Sequence, residues 1–384
     1  MAIDIKHILK GHAYQNIPLT FEEAYALGEY AIKGCNGDTQ AQIQSVIALS
    51  ALHTKATYVW EKNPERLFFH DHRLPMNAAE QIAGICAAIF KSDIATSEYG
   101  TINTHIPLIM DNCGMGGDIT PTANVSTIAA LIASVAGIHM CKHGSPANAD
   151  TGKHGSSDFM QMLGIETFPN RDALLYCLEK ECFGYTEALD TRYKIIHKQT
   201  HSFANVPHMN DIIGPITNPV VLTRRILGVN HLISPKIVAE AYAILNKKNI
   251  TVVEKSFFIR GYSSQGGMDE LSICPQGSQV AILERDNITV EEITANDFGI
   301  QSVSSADISP PKGMSKGEFS KKILYGEITG PALEMVLANA ALLMHLAQNS
   351  HVSLPQCFDD ARRIHASGEL RGKVARVKTL LQRR

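Results

Sequence analysis

Between Asp111 and Gly164 the chain concentrates residue types that can hold an anion. A short apolar run, Ile106 to Met110, feeds a loop carrying Gly114, Gly116 and Gly117 and closed by Asp118. Polar Asn124, Ser126 and Thr127 then open an apolar helix, Thr127 to Ala136, followed by Gly137. Strand, glycine loop and helix N-terminus in that order make an anion receptor: bare backbone admits a phosphate, and free N–H groups with the helix dipole favour its charge. A second short strand, Ile138 to Cys141, delivers Lys142, His143 and Gly144. In a βαβ unit the C-terminal ends of both strands share one sheet edge, so Lys142 arrives beside the glycine loop. The spacing GxGG is neither the dinucleotide fingerprint GxGxxG nor a P-loop. Glycine loops of this general kind are also common in α/β proteins that bind nothing there.

Further residues carry a resemblance that spans almost the whole chain. Gly114-Met115-Gly116-Gly117-Asp118, Thr122, Asn124-Val125-Ser126-Thr127, Lys142-His143-Gly144, Gly155-Ser156-Ser157-Asp158 and Leu163-Gly164 resemble segments of the anthranilate phosphoribosyltransferase family. That family shows GTGGD, TxN[IL]ST, KHGN and G[SG][AS]D…LG, and the spacing from the first to the KHG element matches without gaps. Gly214-Pro215-Ile216-Thr217-Asn218-Pro219 resembles its GPLTNP, Arg225-Ile226-Leu227-Gly228-Val229 its RxxGV, and Gly267-Met268-Asp269-Glu270 its G[LM]DE.

The resemblance implies transfer of phosphoribosyl from phosphoribosyl pyrophosphate to anthranilate or a related aromatic or heterocyclic acceptor, with release of pyrophosphate and use of Mg²⁺. It implies donor binding by Gly114, Gly117, Asp118, Thr122, Asn124, Thr127 and Lys142, further substrate binding by Val125, Ser126, His143, Gly144, Ser145 and His201, and a metal held by Ser126, Asp269 and Glu270. Lys142, Asp269 and Glu270 carry the catalytic charge in that reading. Loss of the diphosphate leaves positive charge developing at C1′ of the sugar and heavy negative charge on the leaving group. A hard cation and fixed N–H donors suit that task, and magnesium needs only one or two carboxylates and a hydroxyl. Without that context, an Asp-Glu pair is an ordinary solvated turn. His143 lies at the right edge to touch an acceptor and is equally readable as a hydrogen-bonded core histidine. A second Lys-His-Gly, Lys153 to Gly155, falls outside the family spacing. A homodimer is a further implication.

The acceptor side departs from the family. Ser145 stands where an asparagine touches anthranilate, and the Ser145 to Asp150 segment carries about two extra residues before Gly155. Counting back from Gly214, His201 falls where an arginine faces the anthranilate carboxylate. A guanidinium grips a carboxylate through two parallel hydrogen bonds that histidine cannot copy. Lys194, His197 and Lys198 are basic neighbours able to compensate. These departures point toward a different or modified acceptor.

Composition agrees with a globular enzyme. The 384 residues are 45% hydrophobic and 19% charged, with a net charge of -3, which gives no general attraction to nucleic acid or anionic membrane. That argues against a non-enzymatic nucleic-acid-binding relative, which needs a basic groove. A pyrimidine-nucleoside phosphorylase of the same superfamily would show a KHSNRS-like segment and lack the GMGGD loop. The eight cysteines are scattered without a CxxC pair, so they read as reduced core residues. The first residues contain no signal-peptide apolar core and no segment reaches the ~20 apolar residues of a membrane span, which predicts a cytoplasmic protein.

The elements that must position these groups form an α/β protein in two parts. Residues 1–94 read as a small all-helical domain, joined by a returning helix near 170–190; residues 95–384 read as an α/β phosphoribosyl pyrophosphate-binding domain with a mostly parallel central sheet flanked by helices. Thr20 and Glu23 form a capping box, and Ser234 with Pro235 starts a helix to Asn246. Helical spacing covers Asp38 to Leu52, Ala78 to Phe90, Asn170 to Phe183, Pro331 to Gln348 and Leu354 to Ala366, and the lone Trp60 is expected inside the helical domain. Ser256 to Ile259 reads as a strand, and Gln279 to Leu283 pairs antiparallel with Ile288 to Ile293.

Overall fold

The computed structural model describes residues 5–15, 18–61, 74–146, 155–187, 210–231 and 233–382. Elements follow in the order α1 (Ile5–Gln15), α2 (Phe21–Cys35), α3 (Thr39–Glu61), α4 (Leu74–Ala88), β1 (Ile109–Gly114), α5 (Val125–Val135), β2 (His139–Gly144), α6 (Ser156–Met162) and α7 (Arg171–Glu181). Then come β3 (Phe183–Glu187), α8 (Asn210–Ile216), β4 (Arg224–Gly228), α9 (Pro235–Lys247), β5 (Lys255–Ser263), β6 (Gly266–Met268), β7 (Ser278–Glu284) and β8 (Asn287–Ile293). Helices α10 (Lys316–Leu324), α11 (Pro331–Ala347), α12 (Leu354–Ala366) and α13 (Glu369–Leu381) close the chain.

Two compact units result. One comprises Met1–Asn103, Ala188–Val221 and Leu232–Val252 and is helical among its described residues; the other comprises Thr104–Glu187, Leu222–His231 and Val253–Arg384. The segments that rejoin the first unit are therefore later than the expected 170–190: α7 packs on β3 and α13 within the second unit. Its buried face, Ala173, Leu174, Cys177 and Leu178, covers the β3 edge of the sheet, and an apolar face of that kind has its partner there already.

In the helical unit, the Thr20 hydroxyl accepts from the Glu23 N–H at 3.3 Å while the Glu23 carboxylate accepts from the Thr20 N–H at 2.9 Å, closing the capping box that starts α2. Leu27 and Ala31 of that helix and Ile82 and Ile85 of α4 are fully buried, and the two helices pack together. Helix α9 begins as expected, with the Ser234 hydroxyl accepting from the Lys236 N–H at 3.3 Å and Pro235 in the first turn. Trp60 lies in α3, but its side chain is outside the described residues.

The second unit is built on a sheet of order β3-β2-β1-β4-β5-β7-β8, with β6 also on β5. Pairing is parallel from β3 through β5 and antiparallel beyond. From β1 the chain winds outward through β2 and β3, then resumes on β1's other side with β4 and β5. The gap between the C-terminal ends of β1 and β4 is thus a topological switch point, where open α/β sheets bind ligands. Helix α5 is apolar and buried over Val125 to Ser134, with only Ser126 partly exposed, and packs against α11.

Strands β1 and β2 run to Gly114 and Gly144, several residues past the apolar stretches at Met110 and Cys141. Asp111, Asn112, Lys142 and His143 are polar yet buried within them. They are stable there because they satisfy one another. Asp111 accepts from the Arg225 guanidinium of β4 at 3.0 Å and from the His143 N–H of β2 at 3.0 Å. Asn112 donates to the Ser126 carbonyl at 2.7 Å, and Lys142 Nζ donates to the Asn112 carbonyl at 2.8 Å. All eight cysteines are free thiols, and among the described residues no helix is long and apolar enough to cross a membrane.

The Arg225–Asp111 pair has both side chains wholly inaccessible. Removing one partner of such a pair strands the other charge, at a cost of about 3–5 kcal/mol. Asp111→Ala is therefore expected to lower unfolding free energy by that amount in urea titration, whereas a midpoint unchanged from wild type would show that the pair does not hold β1 to β4.

Candidate active site

The glycine loop after β1 takes its shape from residues 150 positions later. The Gly116 N–H donates to Asp269 Oδ2 at 2.6 Å, and the Asp269 N–H donates to Asp118 Oδ1 at 2.7 Å. Each loop thereby presents a carboxylate to the other's backbone. The Asp269 loop also lies hard against strand ends: a Cβ at Gly114 would overlap the Asp269 carboxylate, and one at Gly228 would overlap its carbonyl. Those two glycines, register partners across β1 and β4, serve loop-to-loop approach. Gly116 and Gly117 have φ of +74° and +84°, a turn that disfavours other residues. Almost nothing crowds either one, so this part of the loop is open to a ligand.

Three carboxylates converge here. Asp118, Asp269 and Glu270 each offer an oxygen within 4.8 Å of the others. The Thr122 hydroxyl donates to Glu270 Oε2 at 3.1 Å. Burial, then the neighbouring charges of Asp269 and Glu270, hold Asp118 well above the usual carboxylate range. Burial, then the charge of Asp269, pushes Glu270 up to about 7. Like charges packed this closely resist joint ionisation unless a cation stands among them. The hard oxygen donors fit magnesium.

Helix α5 starts directly beside Thr122. Asn124 is its N-terminal flanking residue and makes no side-chain cap. Its side chain is used elsewhere: Nδ2 donates to the Gly155 carbonyl at 3.2 Å and Oδ1 accepts from the Ser320 hydroxyl at 3.0 Å, while its N–H donates to that hydroxyl at 2.8 Å. The first-turn N–H groups of Val125, Ser126 and Thr127 lack intrahelical partners, as at every helix N-terminus. The buried Thr127 hydroxyl has no hydrogen-bond partner among the described residues.

The remaining expected residues separate into two groups. Gly114, Gly117, Asp118, Thr122, Asp269 and Glu270 come together at the switch point, with Asn124 to Thr127 following. Lys142 is buried at the tip of β2, its Nζ on the Asn112 and His143 carbonyls. Its charge nonetheless acts to lower the Glu270 carboxyl. His143 is fully buried, with Nδ1 3.2 Å from the Thr186 hydroxyl, the core placement that its sequence context left open. Gly144 lies against Ser156 and Tyr185, and the Ser145 carbonyl accepts from the Ser157 N–H at 3.2 Å. No hydrogen bond among the described residues joins the Ser126 hydroxyl to the carboxylates. His201, Lys194, His197, Lys198 and Lys153 lie outside the described residues.

The geometry adds to the expected set. Asp118, expected to line the phosphate site, is also the third member of the carboxylate cluster. An anionic side chain meets a phosphate favourably only through a cation. Lys316, absent from the sequence reading, bears on both Asp118 and Glu270, pulling each back toward ionisation. Its only sequence signal is a helix start, Ser315 followed by Glu318, and the Ser315 hydroxyl accepts from the Glu318 N–H at 3.2 Å. A cavity of about 610 Å³ bounded by Pro121, Lys312, Phe319 and Thr329 contains none of the three carboxylates.

Residues 107–370 match the model of the glycosyl transferase family, a/b domain. An anthranilate phosphoribosyltransferase of Bacillus cereus is 31% identical over 271 residues, covering 69% of this chain and 73% of its own. The chain belongs to the anthranilate phosphoribosyltransferase family. The Lactococcus lactis enzyme of that name is 29% identical over 294 residues, 76% of this chain and 81% of its own. Among solved folds, anthranilate phosphoribosyltransferase from Thermus thermophilus superposes with a TM-score of 0.73 at 21% identity, covering 99% of both chains. The Saccharomyces cerevisiae enzyme in complex with PRPP and Mg superposes at 0.72 and 21%, covering 98% of this chain and 97% of its own.

Glu270 yields a pH prediction for the metal-free protein. Its folded carboxyl sits near 7, above the ordinary 4.5, so its contribution to stability is complete below pH ~4.5 and is lost as pH rises through about 7. Glu270→Gln is accordingly expected to raise the metal-free Tm at pH 8 by a few degrees and leave it unchanged at pH 4.5. Equal shifts at both pH values in calorimetry would contradict the assignment.

Proposed function

We propose that this protein transfers the phosphoribosyl group of phosphoribosyl pyrophosphate to the amine of anthranilate, releasing pyrophosphate. The observation that carries this reading is the carboxylate cluster of Asp118, Asp269 and Glu270 at the β1/β4 switch point, beside the open N-terminus of α5. A donor with two phosphate groups needs both a cation site and N–H donors, and the two lie together here.

In this reading the open Gly116–Gly117 turn and the first turn of α5 receive phosphate oxygens, with the Thr127 hydroxyl as a further donor. Asp118, Asp269 and Glu270 hold magnesium. Bound there, the ion supplies positive charge to the leaving diphosphate. Thr122 fixes the Glu270 carboxylate, and the Gly116 N–H fixes that of Asp269, so the charges are set before reaction and need no rearrangement as it proceeds. Lys142, its ammonium held by the Asn112 and His143 carbonyls, adds a buried positive charge that favours the ionised Glu270 carboxylate. The acceptor nitrogen bonds to C1′ as the bond from C1′ to the diphosphate oxygen breaks. The electron pair leaves with the diphosphate, and the amine proton passes to water. Ser145 and His201, at the two positions that depart from the family, are the residues assigned to acceptor recognition in this reading. A cytoplasmic homodimer completes the proposal.

The relatives matched over most of the chain are named for this activity, which supports it over the phosphorylase and nucleic-acid-binding alternatives. The test is magnesium-dependent pyrophosphate release with anthranilate. Wild type is expected to be active, and the Asp269→Asn, Glu270→Gln double variant to lose at least ~10²-fold in kcat/KM. Full activity in a folded double variant would overturn the assignment of that pair.

A further inference from the structure

We propose that Ser320 of α10 is a positioning residue for donor binding: it keeps the Asn124 side chain from capping α5, so that the first-turn N–H groups stay free for phosphate. The inference rests on the proposed function and adds to it a residue that acts through Asn124, outside every motif of the site.

Asparagine is among the strongest helix-capping residues, its side-chain oxygen accepting from the N–H two or three positions on. Asn170 does this at the start of α7: its backbone is extended at φ -67° and ψ 161°, and Oδ1 accepts from the Ala173 N–H at 2.8 Å. Thr20, Ser234, Ser315 and Ser353 cap α2, α9, α10 and α12 from the same extended conformation. Asn124 holds the equivalent place on α5, its carbonyl accepting from the Ile128 N–H at 3.1 Å. Its ψ is nevertheless 63°, and its side chain makes no cap.

The cause lies on α10. The buried Ser320 hydroxyl accepts from the Asn124 N–H at 2.8 Å and shares its proton between Asn124 Oδ1 at 3.0 Å and the Lys316 carbonyl at 2.6 Å. One hydroxyl thereby engages both the backbone and the capping oxygen of Asn124, while Nδ2 donates to the Gly155 carbonyl at 3.2 Å. A second observation marks the uncapped turn as a place for an anion. Thr127, the third residue of α5, is wholly buried, and its hydroxyl has no hydrogen-bond partner among the described residues. A buried donor left unpaired is costly. A phosphate oxygen at this turn satisfies the hydroxyl and the free N–H groups together. An Asn124 cap would compete with that oxygen for the same N–H donors. Without the Ser320 hydroxyl, Oδ1 loses its donor and the Asn124 N–H its acceptor, and the residue relaxes to the extended, capping conformation.

The test compares wild type with Ser320→Ala and Ser320→Cys, which remove or weaken these hydrogen bonds with little change in volume. Melting curves establish which variants are folded. Titration calorimetry with phosphoribosyl pyrophosphate in magnesium reads donor affinity, and a crystal structure of a donor-free variant reads the Asn124 side chain. A folded variant is expected to bind the donor about 10-fold more weakly, the order of one competing cap hydrogen bond, with Asn124 Oδ1 moved onto the Ser126 or Thr127 N–H. Donor affinity equal to wild type would overturn the role of Ser320 and leave the function standing. Weaker binding with Asn124 still off those N–H groups would overturn it as well. Failure of wild type to bind the donor at all would instead overturn the proposed function.

Discussion

The site depends on one close approach. The loop bearing Asp269 and Glu270 crosses the ends of β1 and β4 where both strands end in glycine, and no other residue type leaves room for it. Once the loop lies there, its carboxylate accepts from the Gly116 N–H and its own N–H donates to Asp118. Two loops distant in sequence become one rigid turn. The glycines that look designed for phosphate therefore divide the work: Gly114 and Gly228 admit protein, while Gly116 and Gly117 turn the loop and stay open.

A second constraint follows from placing charge at the middle of a sheet. Carboxylates at a buried strand end are costly unless countered. The structure answers with an interior polar network: Asp111 with Arg225, Asn112 with Lys142, and His143 with Thr186. These residues extend β1 and β2 beyond their apolar segments and fix the height at which the glycine loop begins. Helix α10 fixes the far side, through Ser320 and Asn124. The positions of the site's side chains are thus set by partners outside the loop itself.

Much of this was legible in the sequence because it is local. The Thr20 box, the Ser234 cap and the limits of Leu354–Ala366 depend on residues within a few positions, and the structure shows them as expected. The parallel sheet with its antiparallel extension follows from alternating short strands and helices. What escaped is non-local. Asp111 and Asn112 read as loop because hydropathy cannot see a partner 114 positions away, such as Arg225. The neighbourhood of Asp118 and the pair at 269–270 was visible as two motifs and not as one cluster. Lys316 carries no motif, and only the docking of α10 gives it meaning. The returning segments were misplaced because the apolar face of α7 suits the sheet edge as well as it would a helical bundle.

The central claim is that Asp118, Asp269 and Glu270 hold the metal that accompanies the donor's diphosphate. Its most direct test is anomalous scattering from a crystal grown with manganese and phosphoribosyl pyrophosphate, manganese standing in for magnesium as a hard, oxygen-seeking cation. The account predicts an anomalous peak coordinated by oxygens of these three carboxylates and by the diphosphate. Donor bound with manganese ligated by none of the three would contradict it.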